Sequence, residues 1–166
     1  VMGVASMFGI FAGVYFWFPK MYGRMMNETL GKIHFMLTLI GVYCIFMPMH
    51  YLGLAGNVRR YSEFTDDYMK GSLPLHHFIT MAAFFTGAVQ LIFLVNLVWS
   101  RFRGAKAPDN PWEATSLEWS VPSPPPVDNF GGPPPTVHHG PNEYGGTGPA
   151  GDFVMQAAPP SASGGA

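Results

Sequence analysis

Arg59 and Arg60 close the stretch HYLGLAGNVRR, and no other pair of cations in the 166-residue chain is adjacent. Neighbouring guanidiniums repel each other, so such a pair belongs beside negative charge. The one carboxylate within four residues, Glu63, cannot balance both. Arginine stays charged and presents a planar fork that matches a carboxylate with two bonds, so the pair suits a clamp for a buried anion at the edge of a helix bundle. Anchorage to lipid phosphate is the other reading of the same spacing. The six histidines are poorer candidates. His34 and His50 sit near opposite ends of one apolar run, and His138 and His139 lie among Gly and Pro. His76 and His77 are adjacent, and so point about 100° apart on a helix. No pair has the i, i+3 or i, i+4 spacing that puts two ligands on one helix face, so all six read as hydrogen-bonded or interfacial and no metal-ligand set emerges. Cys44 is the single cysteine, which leaves no disulfide framework. No glycine-rich phosphate loop or nucleophile–base pair is present. Asn27-Glu28-Thr29 fits a glycosylation pattern, but Asn27 or Thr29 is better read as a helix cap.

These residues are carried by three runs without Asp, Glu, Lys or Arg: Val1–Pro19, Ile33–Val58 and Gly71–Ser100. Charged residues make up 11% of the chain against a soluble average of about 25%, and apolar ones 48%. A near-neutral chain gives no case for nucleic acid. A bilayer core of roughly 30 Å needs about 20 helical residues, so the runs predict transmembrane helices over about 1–19, 33–56 and 72–100. The first run lacks the basic start and small-residue cleavage site of a signal peptide, and its Trp17-Phe18-Pro19 end is aromatic, as at a membrane interface. It reads as part of a helix that begins upstream of Val1.

Lys20, Arg24 and Lys32 follow the first run, and Arg101, Arg103 and Lys106 follow the third. The positive-inside rule then puts the first loop and the C-terminal tail inside, and the arginine pair at the outer surface. The small-xxx-small pair Gly9 and Gly13, together with Thr80, Thr86, Gln90 and Asn96 in the third run, asks for helix neighbours rather than lipid. Residues 1–106 form the transmembrane part. From Ala107 onward, 22 of 60 residues are Gly or Pro and none is Lys or Arg, so 107–166 reads as an irregular inner-side tail without a core. NPWEATSLEW (Asn110–Trp119) has enough side-chain substance to lie against a neighbouring surface. The fold class is an all-α membrane protein: three transmembrane helices of a larger helical bundle, with a Gly/Pro-rich irregular C-terminal tail.

HYLGLAGNVRRYSEF (His50–Phe64) resembles the end of the eleventh helix of haem–copper oxidase subunit I. FAGVYFWFPKMYGRMMNETLGKIHF (Phe11–Phe35) is similar to that family's end of helix ten, the following loop and the start of helix eleven. NPWEATSLEW and SPPPVDNF (Ser123–Phe130) resemble its bacterial C-terminal tails. The resemblance covers roughly residues 1–130. The chain departs from the family where Asn57-Val58 replaces a Met-Pro before the arginines, and His76-His77 has no usable counterpart.

The resemblance implies that Arg59 and Arg60 reach the propionates of haem a and haem a3, whose four carboxylates would supply the missing negative charge, and that Phe46 packs near a haem. It implies no metal ligand in this chain: the haem ligands on helix ten and those of CuB lie before Val1. The chain would then be most of helix ten, helices eleven and twelve, and the tail. It would act as the C-terminal part of a cytochrome c oxidase that reduces dioxygen to water and pumps protons. Expected partners are the rest of subunit I, subunit II with the electron-entry site, subunit III, cytochrome c and membrane lipid. The expected location is the bacterial cytoplasmic membrane, with the mitochondrial inner membrane as the alternative. A quinol oxidase of the same family, or a non-catalytic three-helix anchor or assembly protein, are the competing readings.

Overall fold

The computed structural model describes residues 2–58, 70–141 and 154–159. Three long α-helices account for most of them: α1 (Met2–Tyr22), α2 (Glu28–Leu54) and α3 (Leu73–Arg103). A short 3₁₀ turn, Leu117–Trp119, interrupts the tail. Among the described residues there is no strand, only an isolated bridge between Arg24 and Lys106. At about 1.5 Å per residue each helix exceeds the roughly 30 Å of a bilayer core, and all three are apolar enough to cross one.

The helix ends follow local chemistry more than the limits of the apolar runs. α2 begins at Glu28, ahead of Ile33. Asn27 caps it, its side-chain oxygen accepting from Leu30 N at 2.9 Å, and Glu28 pairs with Lys32 at 2.7 Å one turn on. The first turn of α2 is therefore a charged turn. α1 runs past its buried Pro19 to Tyr22, and Gly23 N closes it on Pro19 O at 2.7 Å.

The chain divides into two compact units, Val1–Val4 with Asn27–Trp99, and Ala5–Met26 with Ser100–Ala166. In the first, α2 and α3 meet along a polar seam. Gln90 Nε2 donates to Thr38 Oγ1 at 3.3 Å, and its Oε1 lies 3.0 Å from His34 Nε2, which fixes that ring nitrogen as the donor. Asn96 Oδ1 accepts from Asn27 N (3.1 Å) while its Nδ2 donates to Asn27 O (3.0 Å). Thr86 satisfies its hydroxyl on Ala82 O in its own helix. His34, Thr38 and Asn96 are buried, so these bonds are made out of water. Gly41 faces α3 closely: a Cβ there would overlap Thr86 Oγ1. Of the polar residues of the third run, Gln90 thus finds partners in α2 and Asn96 at its cap, while Thr80 and Thr86 bond to carbonyls of their own helix; the outward faces stay apolar, with Phe35, Ile40 and Tyr43 on α2 and Phe84, Leu91 and Val95 on α3 all exposed.

In the second unit the tail folds back on α1. Phe16 stacks on Trp112 and meets Trp119 edge-on. Trp112 Nε1 donates to Phe16 O at 3.0 Å, and Trp119 is 1% exposed. Lys20 caps this cluster. Its ammonium lies 5.0 Å from the Trp119 ring centroid and donates to Asp109 O and Val121 O. Gln156 reaches back to the same region, accepting from Leu117 N at 2.9 Å through its side chain and donating its backbone N to Thr115 O at 3.0 Å. A composition without a core therefore still yields ordered tail segments, because tryptophan rings and charge-assisted bonds to carbonyls replace aliphatic packing.

Candidate functional site

The end of α2 is fixed by its own sequence. Gly56 adopts φ +89, in the left-handed region where a side chain would be strained. That turn lets Gly56 N reach Gly53 O (3.2 Å) and Asn57 N reach Leu52 O (3.0 Å), the doubled closure of a Schellman motif. The start of α3 lies beside it. His76 N donates to Ser72 O at 3.1 Å, His76 O accepts from Thr80 Oγ1 at 2.9 Å, and Asn57 Nδ2 sits 3.2 Å from His76 Nε2.

A cleft of about 600 Å³ opens at this end, walled by Phe46, Met49, Leu52, Leu54 and Ile79, with His50, Asn57 and His76 supplying the polar atoms. Phe46 is 40% exposed and lines it directly. One turn further on, His50 Nδ1 lies 2.7 Å from Phe46 O and donates to it, so its Nε2 carries no proton when the ring is neutral. Arg59 and Arg60 lie outside the described residues. Asn57 and His76 were not legible as a pair: the contact joins residues of unrelated spacing across two helix ends. Among the described residues no group of three His, Cys, Asp or Glu comes together as a metal site.

Three spans long and apolar enough for a bilayer, a polar seam between α2 and α3, and apolar faces turned away from it define an all-α integral membrane protein. The chain belongs to the cytochrome c and quinol oxidase polypeptide I family, whose model matches residues 1–88. It is 46% identical over 163 residues to the alternative cytochrome c oxidase subunit 1 of Bradyrhizobium diazoefficiens, covering 96% of this chain and 28% of that protein. Cytochrome c oxidase subunit 1 of Synechocystis is 46% identical over 140 residues, 84% of this chain and 24% of that protein. The heme-copper oxidase subunit I+III of Aeropyrum pernix is 44% identical over 126 residues, 76% of this chain and 15% of that protein. The chain thus spans about a quarter of the length of the first of these relatives.

Proposed function

We propose that this chain works within subunit I of a terminal respiratory oxidase, and that with the rest of the subunit it takes electrons from cytochrome c, reduces dioxygen to water and moves protons across the membrane. The observation that carries this reading is the 46% identity over 96% of the chain to a protein named as a cytochrome c oxidase subunit 1. The end of α2 is where the chain itself contributes. Its cleft has an aromatic and aliphatic wall with a few polar atoms at the rim, which fits the edge of a large flat macrocycle such as haem a or haem a3. Phe46 would pack on that edge, and Arg59 and Arg60 would pair with its propionate carboxylates. Haem supplies one-electron chemistry and oxygen binding through its iron. The part of this chain is to neutralise buried carboxylates, which low-dielectric surroundings tolerate only when paired and hydrogen-bonded. CuB belongs to the same subunit in this reading and takes no ligand from this chain.

Electron entry on subunit II, a contact with subunit III, and an inside tail complete the reading. The tail's placement is supported by the cations Lys20, Arg24, Arg101, Arg103 and Lys106, which lie near the C-terminal ends of α1 and α3. The bacterial cytoplasmic membrane is the proposed location, in keeping with the bacterial relatives. The test is Arg60→Ala in the assembled oxidase. Haem content should stay near normal, while the haem midpoint potential, turnover and proton pumping change. A variant with unaltered potential and turnover would remove the clamp.

A further inference from the structure

We infer that the folded-back tail and the C-terminal end of α1 form a site for the primary ammonium of a phosphatidylethanolamine headgroup, with an acyl chain of that lipid laid along α1. The headgroup pocket lies within the second unit and measures about 320 Å³. Trp17, Leu117, Val121, Pro125 and Phe130 give it an aromatic and aliphatic wall, and Glu118 supplies a negative charge. Trp17 and Phe130 are both exposed enough to meet a ligand. Trp17 Nε1 donates to Glu118 Oε1 at 3.4 Å, and among the described residues Glu118 Oε2 has no partner. Lys20 also borders the pocket, but its three N–H groups are spent on the carbonyls of Asp109 (3.0 Å), Val121 and Pro122 (3.5 Å), and its ammonium stands 5.0 Å from the Trp119 ring centroid. A carboxylate with a free oxygen between two aromatic walls is complementary to a cation that carries N–H donors on a short apolar stem. A quaternary ammonium would use the rings and give the free oxygen no hydrogen bond.

Trp17 belongs to a second cavity as well. A shallow groove of about 450 Å³ runs along α1 past Ser6, Gly9, Ile10, Val14 and Met21, with the same indole in its wall. The two cavities therefore meet at one ring. From Ser6 to Met21 the helix rises about 22 Å, more than the roughly 15 Å of hydrocarbon in one leaflet of a bilayer. α1 is apolar enough to cross a membrane, and tryptophan near the end of a span belongs at the headgroup level. The spacing of Gly9 and Gly13 asks for a helix neighbour, and here the structure differs from the sequence pattern. A Cβ at Gly13 would lie 3.2 Å from Trp17 Cζ3, so the notch at that glycine is filled by the chain's own indole. The ring stands in the way of the close backbone approach that a small-xxx-small contact requires, whereas an acyl chain bends around it.

The experiment uses the intact oxidase in detergent and counts bound lipid by native mass spectrometry, with haem content as the check on assembly. The probes are phosphatidylethanolamine, phosphatidylcholine and phosphatidylglycerol with identical acyl chains. Glu118→Gln keeps an acceptor for Trp17 Nε1 and loses the charge. An exposed ion pair or cation–ring contact strengthens binding by about two- to fivefold. Glu118→Gln should therefore bind phosphatidylethanolamine about three- to tenfold more weakly than wild type at its tightest Glu118-dependent site, with the other two lipids unchanged. Phe130→Leu keeps apolar bulk, removes a ring and should weaken the same lipid about two- to fivefold. Any other pattern overturns the site: phosphatidylethanolamine held equally by wild type and Glu118→Gln, or a parallel change for all three lipids. A protein segment covering the pocket would give the first of these results. Should Glu118→Gln lose its haem, Phe130→Leu decides: weaker binding of phosphatidylethanolamine supports the site, and unchanged binding overturns it.

Discussion

Replacing Gly41 with alanine probes a close approach in the α2–α3 pair. The new Cβ would overlap Thr86 Oγ1, and it would lie 3.1 Å from Thr86 Cβ and 3.4 Å from Thr86 Cγ2. Rotating χ1 of Thr86 moves the hydroxyl but leaves its Cβ where it is, so no rotamer clears the contact and the helices must part by a few tenths of an ångström. Overpacking of this kind costs about 1–3 kcal/mol. The better helix propensity of alanine returns at most about 1 kcal/mol. The net loss should be about 1–2 kcal/mol, roughly a five- to thirtyfold change in an equilibrium constant. In purified oxidase it should appear as a lower temperature for loss of the haem absorbance. Gly41→Val should lower it further. Thr86→Ala alone removes only a hydroxyl bonded within its own helix and should cost under about 1 kcal/mol. Combined with Gly41→Ala it should recover most of the loss, and the 3.1 Å contact at Cβ keeps that recovery short of complete. A Gly41→Ala protein as heat-resistant as wild type, or a double variant no better than Gly41→Ala, would refute the close-approach argument.

Three further outcomes are expected. Gln90→Leu takes a partner from His34 and from Thr38 and should destabilise the complex by about 1–3 kcal/mol, read by the same thermal assay; unchanged stability would show that the seam contributes nothing. Lys20→Met removes charge-assisted bonds to Asp109 O and Val121 O, worth about 1.5–3 kcal/mol. If cleavage proceeds through local opening, limited proteolysis around 109–122 should accelerate roughly ten- to a hundredfold, and an unaltered rate would count against Lys20 as the anchor. Ending the chain after Phe130 removes the Gln156 bonds to Thr115 and Leu117, so cleavage near residue 115 should rise, while oxygen consumption and haem content stay near full-length values. A large loss of either would give the tail a second duty.

The spans were legible because runs free of ionised side chains have few other uses at that length. Their ends were less so. The start of α2 depends on one asparagine oxygen and one i, i+4 pair, both of which lie in what composition alone marks as loop. Thr86, Gln90 and Asn96 announced a need for partners, but nothing in a linear text says that Gln90 bridges His34 and Thr38 or that Asn96 embraces the backbone of Asn27. The tail was half legible. Its Pro and Gly content excludes an aliphatic core, and NPWEATSLEW signalled a docking segment, yet the return of Gln156 to Leu117 is a contact over 39 positions that no local pattern encodes. At the candidate site Phe46 was chosen from resemblance, whereas the Asn57–His76 contact becomes visible only in three dimensions.

The seam between α2 and α3 also bears on how the chain enters a membrane. A lone α3 would carry Gln90 and Asn96 into hydrocarbon with no partner in another helix, and the Gln90 bond to Thr86 O within α3 satisfies only one of its polar atoms. The groups that complete both residues sit at Asn27, His34 and Thr38, on a segment synthesised earlier. An interhelical polar contact of this kind is worth about 1–2 kcal/mol in model peptides. α2 would then ease the insertion of α3 by offering those partners first. The two should leave the insertion machinery as a hairpin, with the earlier helix waiting at the exit until its partner has emerged.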